Sequence, residues 1–147
     1  MDLRSFLAST SIAALALQLA PPIGPTDRPA TEKLVRSFVE AFNVHDVPRM
    51  LTFVAPDMRW MSVTGDKIGL ETSDSKSLSD SMQRYFQRIP SAHSELRSII
   101  ASGPFVSTVE EARWEANGRP RSQCSVGVYE IADSRIENVW YFPAHRC

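Results

Sequence analysis

The sequence predicts an α+β domain, with three helices near the N-terminus packed on a curved antiparallel sheet. Two observations carry this expectation. Up to Pro90, apolar residues recur at helical spacing in three stretches; after it they fall into short β-rich runs separated by turn signals. A third observation sets the scale. The chain has 147 residues, 43% hydrophobic and 22% charged, an ordinary balance for one domain.

Leu34, Val35, Phe38, Val39 and Phe42 mark the first helix, and Pro29 suits its first turn. Asn43-Val44-His45-Asp46 breaks it. Val47, Met50, Leu51 and Val54 predict a second, short helix that ends before Pro56. Met58-Arg59-Trp60-Met61-Ser62-Val63 reads as a strand of bulky, β-prone residues. Gly65 and Gly69 predict a loop. Leu78, Met82, Tyr85, Phe86 and Ile89 form a third helical stripe, stopped by Pro90. Four strands follow, centred on Leu96 to Ile100, Phe105 to Val109, Val126 to Ile131 and Ile136 to Phe142. Ser102-Gly103-Pro104, Asn117-Gly118 and Ala132-Asp133-Ser134 are the turns between them. A curved sheet with helices on one face leaves a concave pocket between the layers.

The N-terminus has a different character. Residues 1–20 carry Arg4 and then an Ala/Leu-rich apolar run; Ala14-Leu15-Ala16 and Ala20 offer cleavage sites. This pattern fits a secretory signal peptide, with a mature start within residues 17–30. The competing reading is a disordered tail, favoured by Asp2 and the single positive charge. Pro21, Pro22, Pro25 and Pro29 make residues 21–29 a stiff linker to a domain spanning 30–147. The expected location is secreted or periplasmic. The net charge of −1, with Lys+Arg 16 against Asp+Glu 17, offers no basic field for nucleic acid. No membrane association is expected after signal removal.

Two cysteines are compatible with export. If Asp133-Ser134 turns the last hairpin, Cys124 pairs opposite Pro143 or Ala144, leaving Cys147 about three residues beyond. At roughly 3.3 Å per residue that is about 10 Å along the strand. A bridge then requires the tail to fold back, so pairing stays open.

The order of elements and several strings resemble the NTF2-like superfamily, and within it SnoaL-like proteins, limonene epoxide hydrolase and ketosteroid isomerase. The strings are Phe38-Val39-Glu40-Ala41-Phe42-Asn43 followed by Asp46, then Val54-Ala55-Pro56-Asp57, then Val128-Tyr129-Glu130-Ile131 and Val139-Trp140-Tyr141-Phe142. The resemblance implies a cone-shaped fold; it does not by itself imply a function. The expected partners are a small apolar molecule and a second copy of the chain. Ketosteroid isomerases need a Tyr, a base Asp and a protonated Asp. Those positions fall at Phe38, Ser62 and about Gly127, so ketosteroid isomerisation is not expected. For limonene epoxide hydrolase, the Asp–Arg–Asp positions fall at Ala112, Glu110 and Tyr141, with the helper Tyr and Asn at Trp60 and Ser62. A one-residue slip would instead bring Glu111 and Arg113 into play.

Trp60, Ser62, Trp114, Tyr129 and Tyr141 are the expected ligand-binding set, and Glu110 the candidate catalytic group. A buried carboxylate among aromatics suits acid–base work; the charge pattern Glu110-Glu111-Arg113-Glu115 reads equally as an exposed strand face. His45 is expected in solvent, and His93, opening a strand after Pro90, near the mouth of the cone, where it is a further catalytic candidate. His145 and Cys147 are too few and too terminal for a metal site, and no cofactor motif is present. Two functions stand: an exported binder of a small, mostly apolar molecule, or an acid–base isomerase, dehydratase or hydrolase on a small hydrophobic substrate. The position of Glu110, inside the cone or outside in water, separates them.

Overall fold

A computed structural model describes residues 28–147. The expected signal peptide lies outside the described residues, as does most of the Pro-rich linker. Helix α1 (Arg28–Asn43) takes in the last two linker positions, with Pro29 in its first turn as its type suggested. Proline's missing N–H costs nothing in a first helical turn.

Helix α1 buries Val35, Phe38 and Val39, the predicted stripe. Helix α2 (Val47–Thr52) is capped by the Asp46 carboxylate, which accepts from the Arg49 backbone N–H. It ends earlier than expected, because Val54 already belongs to strand β1 (Val54–Thr64). A tight turn at Gly65 (φ +63°) leads into β2 (Lys67–Thr72), where the sequence suggested a loop. Only Thr72 of β2 is buried, so its side chains carry no in–out alternation to read. Helix α3 (Ser75–Arg88) opens on a reciprocal capping box between Asp74 and Ser77. Strands β3 (His93–Ser102), β4 (Phe105–Ala116), β5 (Arg119–Ala132) and β6 (Arg135–Tyr141) complete the chain. The predicted turns sit at Gly103, Asn117-Gly118 and Asp133-Ser134, all with positive φ.

The six strands form one sheet in the order β2-β1-β6-β5-β4-β3. Every neighbouring pair is antiparallel except β1 and β6, which run parallel. The expectation of a purely antiparallel sheet is corrected there. A parallel pair needs a long connection, and β2, α3 and β3 to β5 supply it. α1 packs on β3 and α3 on β1, so the helices cover one face of the curved sheet. This is the α+β cone architecture that the sequence predicted.

Cys124 and Cys147 form a disulfide, with Cα atoms 5.0 Å apart. A bulge between Glu130 and Ile131 advances the β5–β6 register by one residue. Beyond β6 the tail keeps pairing with β5, and Cys124 exchanges backbone hydrogen bonds with His145. Two residues later the chain turns back far enough for Cys147 to reach Cys124.

Candidate functional site

Side chains alternate across a strand, so one face of β4 and β5 points into the space under the helices. That space is a cavity of about 400 Å³, within the range of about 300–1,000 Å³ common for small-molecule sites. Helix α1 contributes Phe38, Val39 and Phe42 to its wall, and α3 contributes Leu78, Met82 and Tyr85. The sheet contributes Trp60, Glu110, Ala112, Gln123, Ser125, Tyr129 and Tyr141.

Glu110 is inside, only 7% exposed. Its Oε1 accepts from the Tyr129 hydroxyl at 2.7 Å and from Thr108 Oγ1 at 2.8 Å; its Oε2 accepts from Ser94 Oγ at 3.2 Å. The Ser94 backbone is in turn clasped at both N–H and carbonyl by the Asn43 side chain, which ties the cluster to the end of α1. Tyr129 and Tyr141 hydroxyls lie 2.6 Å apart. A carboxylate only accepts, so Tyr129 donates to Glu110 and Tyr141 donates to Tyr129. Burial, and after it the Glu110 charge, push both phenols well above their ordinary value. Both therefore stay protonated and the chain of donors keeps one direction.

The aromatic walls interlock. Trp60 stacks on Tyr141 with centroids 5.1 Å apart and planes 4° from parallel, and Phe38 meets Tyr129 edge-on at 6.4 Å. Gly127 makes room for the cluster: a Cβ there would come within 2.9 Å of Thr108 Oγ1 and 3.3 Å of Glu110 Oε1.

Of the residues singled out from the sequence, Glu110, Trp60, Tyr129 and Tyr141 converge on the cavity. Ser62 does not line it. Its hydroxyl donates to Glu71 Oε1 at 2.6 Å, and Glu71 is the residue at the rim. Trp114 is also corrected: it lines a separate groove with Ser91, Arg113 and Arg121. It pairs with Arg121 close to the Asn117-Gly118 turn, farther along the hairpin than the cavity extends. Glu111 and Arg113 face the opposite side of the sheet, which excludes the one-residue slip. There Glu111 accepts from Arg97 and Arg113. These two arginines hold its carboxyl down at about 2.

His45 is not solvated as expected; its Nε2 lies 2.9 Å from the Ala92 carbonyl and its ring stacks on Phe86. Cys147 is consumed by the disulfide, so His145 and Cys147 form no ligand pair. Ser94, Thr108 and Glu71 were not singled out from the sequence. Thr108 had a signal, since it stands two residues before Glu110 and shares its face.

These features define an α+β cone enclosing an aromatic cavity. The chain belongs to the SnoaL-like domain family, whose family model matches residues 35–139. Solved structures with the same fold include Bal32a from a soil-derived mobile gene cassette, 15% identical, covering 78% of this chain and 88% of that one at a TM-score of 0.68. A cystatin-fold protein from Novosphingobium aromaticivorans is 18% identical, covering 76% and 96%, at 0.66. An LEH-like epoxide hydrolase from M. tuberculosis is 18% identical, covering 78% and 83%, at 0.64. At these identities the likeness is one of fold. Comparison with curated protein sequences returns no match.

Proposed function

We propose that this protein is an exported binder of a small, largely apolar molecule, held in the cone with one polar group at the Glu110–Tyr129–Tyr141 cluster. The observation that carries the reading is an aromatic cavity of about 400 Å³ with a buried, hydrogen-bonded carboxylate in its wall. The aromatic rings supply apolar area, and the cluster supplies orientation. Ketosteroid isomerisation is not part of the reading, since Phe38, Ser62 and Gly127 stand where that reaction needs a donor, a base and a second donor.

The Cys124–Cys147 disulfide supports export, because such bonds persist in oxidising compartments. Ile68 and Leu70, 64% and 58% exposed on the edge strand, support burial by a second copy of the chain.

A second reading, acid–base catalysis on a small hydrophobic substrate, is favoured by the placement of Glu110 inside the cavity. Against it, three hydroxyls already engage the carboxylate, so taking a proton means giving up hydrogen bonds. Native mass spectrometry on protein from its own host tests both. The expected result is a dimer, a chain starting within residues 17–30, and a small molecule that leaves unchanged on unfolding. A bound molecule converted on incubation supports catalysis instead. A chain that begins at Met1 and carries nothing overturns the proposal.

A further inference from the structure

We propose that the cavity selects a protonated amine, an apolar molecule whose ammonium group docks against Glu110 with Glu71 at the mouth. This rests on the reading of the cone as a ligand site and names the ligand's charge.

Three observations converge. First, Glu110 is nine-tenths buried, yet among the described residues no Lys, Arg or His lies within ion-pairing distance of it. Buried charges are ordinarily paired. The adjacent Glu111 obeys that rule with two arginines, so the lack of a cation at Glu110 is particular to the cavity side. Second, among the described residues the charged ones lining the cavity are Glu110 and Glu71, both acidic. Glu71 is held at the rim by the Ser62 hydroxyl. An entering cation meets attraction at the mouth and again at the wall; an anion meets repulsion twice. Third, Trp60, Tyr141 and Phe38 all line the cavity, and aromatic surface attracts a cation and repels an anion.

Hydrogen-bonding capacity agrees. A carboxylate has about four acceptor sites. Tyr129 and Thr108 take two on Oε1 and Ser94 takes one on Oε2, which leaves Oε2 with one for an ammonium N–H.

Calorimetric titration with three probes of one skeleton tests this: phenylbutylamine, phenylbutanol and phenylbutanoate at neutral pH. The amine should bind about tenfold or more tighter than the alcohol, with the carboxylate weakest. Glu110→Gln should collapse the amine-to-alcohol preference, and Glu71→Gln should reduce it by a smaller factor. The comparison within the unaltered protein and the exposed Glu71 variant stand even if Glu110→Gln fails to fold. An alcohol or carboxylate that binds as tightly as the amine overturns the charge assignment while leaving the cavity a ligand site. So does a preference that survives Glu110→Gln. Binding of none of the three overturns the ligand-site reading itself.

Discussion

Glu110 and Glu111 are neighbours in the chain and almost equally buried, at 7% and 6% exposure, yet they meet opposite chemistry. Glu110 faces the cavity and is held by three neutral hydroxyls. Glu111 faces the outside of the sheet and is held by Arg97 and Arg113, which also reach Glu95. On the same outer face its strand partner is Cys124, anchor of the disulfide. The pleat alone divides them. The outer face is held by covalent and ionic bonds. On the inner face, Glu110 has no counter-charge among the described residues and lies beside open space. Equal burial therefore says little about role; the partners say more.

Changes on the two faces should separate. Replacing both cysteines by serine should have the largest effect on stability, because the bridge closes a loop between positions 23 apart. Loss of that constraint costs about 3 kcal/mol, read as a lower denaturation midpoint in urea. A loss below about 1 kcal/mol would mean the outer face does not depend on the clamp.

Tyr129→Phe comes next. It removes the donor to Glu110 and the acceptor for Tyr141, and hydrogen bonds to a charged group are worth about 1.5–3 kcal/mol each. Chemical denaturation should show about 2 kcal/mol of destabilisation. A neutral result would break the comparison, since Glu110 would then not depend on its hydroxyls.

Glu111→Gln should have the smallest effect at neutral pH, because Arg97 and Arg113 are half-exposed and solvent screens them. Its signature lies in acid. The folded carboxyl sits at about 2 against an ordinary 4.5, so the unfolded chain takes up the proton first as pH falls. The ion pair's contribution is full above about 4.5 and is lost as pH drops through about 2. Denaturation curves collected across that window should slope less steeply for the variant than for the unaltered protein. Equal slopes would detach Glu111 from its arginines.

The sequence determined the helices, the strand run after Pro90 and the hairpin turns, because their signals are local. Helical spacing marks Val35, Phe38 and Val39, and Asn117-Gly118 takes positive φ wherever it turns a hairpin. It also determined that Glu110 shares a strand face with Ala112, since alternation needs no tertiary information. Only the tertiary structure decided the rest. It paired β1 with β6 in parallel across some 70 residues. It recruited Lys67–Thr72 to an edge where exposed side chains leave no pattern. It stopped the cavity short of Trp114, and the tail beyond β6, paired to Cys124 at His145, brought Cys147 within reach of Cys124. Above all, it set Ser94, Thr108 and Tyr129 around Glu110 on one side and Arg97 and Arg113 around Glu111 on the other. Those partners come from different strands, and no spacing along the chain records which distant segments will meet.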